Sequence, residues 1–163
     1  MTTKADFTAE EWVRLERAPL VAGMAITLAD PGGPIEAFKE LGATTKTVLE
    51  AAEGGGRGEL VDAVAASVAE KAKQRQNPLQ EFKPQGVLAG EQILEELGSV
   101  NRLVTDKASP EEAAAFRELL LTAAQRAAEA AKEGGFMGFH ATRVSEGEQR
   151  MLDKLGEVLS PLS

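Results

Sequence analysis

The chain has 163 residues, a net charge of −8, 43% apolar and 27% charged side chains, and no cysteine. That length suits one domain, long enough to bury roughly 70% of the surface its unfolded chain exposes. The negative balance repels nucleic acid and anionic lipid, and the missing thiols exclude disulfides, thiol catalysis and thiolate metal sites.

Aromatic residues make up only 4% of the chain, with one Trp and no Tyr, while alanine is abundant. Such a mixture favours helices packed closely on small side chains and suits sheets poorly. Residues 1–6 are expected to form a disordered tail and residues 7–163 a single all-α domain. The opening "MTTKADFTAEEW" lacks the apolar stretch of a secretory signal, and the most apolar run, "PLVAGMAITLA", has 11 residues, too few to span a bilayer. A cytoplasmic protein without a membrane span is therefore expected.

Thr8 and Glu11 have the spacing of a capping box, and Trp12, Leu15, Ala22, Ala25 and Ala29 follow at helical intervals. Pro19 is expected to break this segment, leaving a second helix that is apolar on every side and so central. "DPGGP" stops it at 30–34. Pro34 then opens a short helix expected to end at Gly42, and "TTKTVLEAAE" forms another, ended by the glycines at 54–56. Leu60, Val61, Val64, Val68 and Ala72 make the apolar stripe of the next helix, whose basic end "EKAKQRQ" sets cations against the helix dipole. The irregular stretch 77–86 holds two prolines and reads as a crossover anchored by Leu79 and Phe82. Ile93, Leu97, Val100 and Val104 mark another helix. Ser109, Pro110 and Glu112 form the strongest helix start in the chain, with Phe116, Leu119, Leu120, Ala123, Ala127 and Ala130 on its buried side and Gly134–Gly135 at its end. Ser145 and Glu148 cap the last helix, which buries Met151, Leu152, Leu155 and Leu159. No segment alternates with the two-residue period of a strand. The expected fold is all-α, a compact bundle of six to eight helices of unequal length around a buried central helix.

The reactive inventory is thin. A Ser–His–acid triad would have to use His140, the only histidine, and a nearby serine such as Ser145 is better explained as a cap. "GGGRGE" at 54–59 lacks the Lys-Ser/Thr ending of a phosphate loop. The expectation is therefore a non-enzymatic protein without a resident cofactor. The segment "EGGFMGFH" stands out, because Gly134, Gly135 and Gly138 allow sharp turns around Phe136, Met137 and Phe139. These side chains fold inward as a lid, which would contribute roughly 5–8 kcal/mol, or they form a patch for a partner. Phe136, Met137, Phe139 and His140 are the candidate partner-binding residues, the partner being another protein or a second copy of the chain.

Segments 22–38 and 127–152 share a plan. In each, a small-residue helix ends at an acidic residue, glycines follow, and a β-branched residue introduces a helix with acids in its first turn. Ala29-Asp30 with Gly32, Gly33, Ile35 and Glu36, and Glu133-Gly134 with Val144, Ser145, Glu146 and Glu148, resemble the paired motifs of the tellurite-resistance TerB-like family of small bacterial helical proteins. The resemblance covers about 45 of 163 residues; Pro31 follows Asp30 where the family has glycine, Glu133 replaces an aspartate, and the second loop is longer. It implies a stress-response role and a divalent-cation site built from Asp30, Glu36, Glu133 and Glu146. No spacing in the chain matches a calcium-hand loop or a zinc-protease helix. Two functional expectations follow: a self-associating helical interaction or stress-response protein, and, as the alternative, a TerB-like divalent-metal-binding module.

Overall fold

In the computed structural model the described residues are 2–29, 34–77, 79, 82–132 and 144–162, without the side chains of 34–40 and 131–132. The Thr8 hydroxyl accepts the Glu11 N–H at 3.1 Å while the Glu11 carboxylate accepts the Thr8 N–H at 2.8 Å. This reciprocal cap opens α1, Ala9–Ala29. The helix passes through Pro19 without a break, contrary to expectation. An interior proline forfeits one backbone bond and costs about 3 kcal/mol, but Ala18, Pro19, Leu20, Val21 and Ala22 are all buried on this stretch. Packing on every side outweighs the local penalty.

The next correction has the same form. α2 runs from Pro34 to Gly54 as one helix, where two short pieces were expected. Gly42 faces open space, so it is only a weak helix former, at about 1 kcal/mol relative to alanine. The buried stripe Thr44, Thr47, Val48 and Ala51 continues beyond it and holds the helix together. α2 gives way to α3, Glu59–Lys73, through Gly55 and Gly56 in the left-handed region at φ 58° and 75°. This link is not a loose linker: the Asp62 carboxylate accepts the backbone N–H groups of Gly56 at 2.9 Å and Arg57 at 3.3 Å.

α3 ends in a Schellman motif, with Gln76 N–H on the Lys71 carbonyl at 3.0 Å and Arg75 N–H on the Ala72 carbonyl at 3.1 Å. Arg75 occupies the left-handed position, φ 55°, that glycine usually fills. In the crossover, Leu79 and Phe82 pack against the core as expected. α4, Ala89–Lys107, and α5, Pro110–Lys132, are joined by two residues, and Ser109 caps α5 by accepting the Glu112 N–H at 3.2 Å. α6, Glu146–Val158, begins with the Ser145–Glu148 capping box.

The described elements are six α-helices and a 3-10 turn, Lys4–Asp6. α1 is the expected central helix, and it shares that place with α5, since each packs against every other α-helix. Leu15, Val21 and Ile26 of α1 meet Phe116, Leu119 and Leu120 of α5 in one core with Leu60, Ile93, Leu97 and Leu155. Within residues 1–6, expected as a disordered tail, Lys4–Asp6 form the 3-10 turn. Thr2 is buried and its N–H and hydroxyl both bind the Glu112 carboxylate, while Phe7 packs on Trp12 with ring centroids 5.8 Å apart.

Polar side chains lock the ends of the helices. Asn101 on α4 donates both amide hydrogens to the final carbonyls of the chain's last helical stretch, Val158 at 3.0 Å and Ser160 at 2.9 Å. Its oxygen accepts Nε of Arg117 at 2.6 Å, and Arg117 Nη2 reaches the Thr105 hydroxyl at 2.8 Å. One buried network thus joins α4, α5 and the end of α6.

Candidate functional site

α1 and α2 touch at Gly23. A Cβ on this residue would stand 2.3 Å from Oγ1 and 2.9 Å from Cγ2 of the buried Thr44. Only glycine permits that approach. Beside the contact, Leu20, Met24 and Thr27 from α1, Leu41 and Thr44 from α2, and Leu79 from the crossover enclose a hollow of about 170 Å³. None of these residues ionises, so the hollow offers burial and shape rather than acid–base or nucleophilic chemistry. Leu41 stands on its wall 48% exposed, and Leu28, one residue beyond Thr27, is 42% exposed. A half-exposed leucine beside an apolar hollow is surface that a soluble helix ordinarily covers.

The ionisable groups are organised differently. Glu96 of α4 receives Arg14 Nε at 3.0 Å and Nη2 at 3.2 Å, and Arg17 Nη2 at 3.0 Å. Burial pushes the Glu96 carboxyl up, but the two guanidiniums together outweigh it and hold the group below the usual carboxylate range. Arg17 also lies over the Phe82 ring, 5.0 Å from its centroid. Glu16 of α1 is buried between the Ser67 hydroxyl and Lys71 of α3, and Ser67 also accepts Trp12 Nε1 at 3.3 Å. Each cluster ties α1 to a neighbour through ion pairs, an arrangement that fastens helices.

Comparison with family models, with curated proteins and with solved structures finds no match to this chain. Phe136, Met137, Phe139 and His140, singled out from sequence as partner-binding residues, lie outside the described residues, and so do Asp30 and Glu133. Glu36 falls in the first turn of α2, its side chain outside the description. Glu146 is the first residue of α6 and is exposed. Among the described residues no group of three or more His, Cys, Asp or Glu side chains is placed to hold a metal ion. Ser145 is a helix cap, its hydroxyl accepting the Glu148 N–H at 3.2 Å, as its sequence context indicated.

The hollow at Leu41 has almost no signature in the sequence. One signal was available: Gly23 stands mid-helix in "LVAGMAIT", where glycine costs about 1 kcal/mol relative to alanine and so marks a close approach. The identity of the approaching residue, Thr44, is 21 positions away and has no local signature.

Proposed function

We propose that this chain is a non-enzymatic helical interaction protein that self-associates through the α1–α2 face, with Leu41 of each copy seated in the other copy's hollow. The observation that carries the reading is the pairing of a half-exposed leucine with an apolar hollow of about 170 Å³ on the same face. A dry apolar cavity of about 150 Å³ admits a benzene ring, so a leucine isobutyl group fits. A two-fold interface uses the same patch on both partners, which suits a surface carrying both knob and hole. Each buried leucine would contribute roughly 1.5–3 kcal/mol. The net charge of −8 disfavours nucleic acid and anionic lipid, and no described helix is long and apolar enough to cross a membrane.

Sedimentation velocity over a concentration series tests this. The wild-type chain is expected to shift from monomer to dimer by about 100 μM, a range typical of a small apolar interface, and Leu41→Asp to stay monomeric with an unchanged helical circular-dichroism spectrum. A wild-type chain that remains monomeric at millimolar concentration would overturn the reading. Melting the same samples in millimolar calcium, magnesium, manganese or zinc separates it from the divalent-metal alternative, because an ion bound only by the folded state must raise the melting temperature. The interaction reading expects no such rise.

A further inference from the structure

A second surface is chemically unlike the first. Between α5 and the end of α6 lies a groove of about 720 Å³, within the range of small-molecule sites. Leu121, Leu159 and Pro161 supply its apolar walls. Arg117 lines it as well, although its side chain is more than nine-tenths buried. This guanidinium has only neutral partners, the Asn101 carbonyl oxygen at 2.6 Å and the Thr105 hydroxyl at 2.8 Å. It forms none of the salt bridges among the described residues. Among the described residues its Nη1 has no hydrogen-bond partner, and it is not one of the buried polar atoms sealed without one. A buried charge without a counter-ion is costly, and an anion supplied from outside would relieve that cost.

We propose that this groove is a binding site for a small carboxylate with an apolar body, the carboxylate meeting Arg117 Nη1 and the body lying along Leu121, Leu159 and Pro161. The other arginine of the groove, Arg126, is already paired with Glu50. The exposed Glu118 and Glu129 on the rim disfavour a second negative charge, so a monoanion fits better than a phosphate ester. This site is independent of the self-association surface and stands or falls separately.

Octanoate, octanol and inorganic phosphate serve as probes in calorimetric titration of the full chain. Octanoate is expected to bind saturably, octanol at least tenfold more weakly, and phosphate not measurably. Because Arg117→Met also cuts the network to Asn101, the deciding variant is Ala114→Trp. It places a bulky ring at an exposed position on the groove wall and leaves the network intact. It should weaken octanoate at least tenfold while melting like the wild type. Absence of saturable octanoate binding, octanol binding as tight as octanoate, or undiminished octanoate binding to Ala114→Trp would each overturn the proposal.

Discussion

Asn101 does the work of a helix cap from another helix. Its two amide hydrogens satisfy carbonyls at the end of α6, and its oxygen orients the buried Arg117. Replacing it with alanine strands two acceptors and a charged donor at once. Asn101→Ala is expected to cost about 3 kcal/mol, which at 2–4 °C per kcal/mol lowers the melting temperature by roughly 6–12 °C; a calorimetric scan measures this directly. An effect below about 1 kcal/mol would mean that water replaces the amide without loss. Nothing in "GSVNRLV" announces this role, because the asparagine sits one turn from apolar residues and its partners lie 57 and 59 positions away. Glu16 is opaque for the same reason. A buried carboxylate is tolerable only when paired, and its partner Lys71 comes from α3, 55 residues along the chain. Local caps were readable because donor and acceptor are three residues apart, as at Thr8–Glu11 and Ser145–Glu148.

Helices α1 and α2 show where local rules yield to packing. Pro19 and Gly42 both resemble stops, and both lie inside continuous helices because the buried stripes on either side stay in register. Helix ends without such a stripe follow the local rule, as the glycines after α2 do. The end of α3 is an exception that invites a test. Arg75 is held at φ 55°, a conformation that costs a side chain about 1 kcal/mol or more and glycine almost nothing. Arg75→Gly should therefore stabilise the protein by roughly 0.5–1 kcal/mol, seen as a higher urea midpoint with an unchanged slope. The join between α1 and α4 gives a second test at this scale. The folded Glu96 carboxyl binds its proton less readily than the same group in the unfolded chain. Its contribution is thus present in full above the ordinary carboxylate range and is lost as pH falls through the depressed folded value. Wild-type stability should fall more steeply than that of Glu96→Gln between pH 6 and pH 3, as followed by urea titration. Parallel curves would assign the acid sensitivity to Glu11, Glu50 and Glu112, whose carboxyls are lowered in the same direction.

At the level of the whole chain, alanine-rich periodicity was enough to specify helices and an enclosed α1, since eleven buried residues in one 21-residue helix leave little choice about its place. The companion role of α5 was not readable: its exposed and buried faces look like those of any amphipathic helix until the other five are arranged about it. The proposed interaction surface was harder still. It is made where two helices and a crossover meet, and only the mid-helix glycine hints that they do. The central position of α1 also bears on how the chain acquires its shape during synthesis. α1 is synthesised before α5, against which it lies and which begins at Pro110. Until that later segment emerges, the apolar surface of α1 is covered only in part, by α2, α3 and α4. Over the roughly 80 residues that separate the two helices the nascent polypeptide carries part of that face exposed, and stable structure should form only after α5 has emerged.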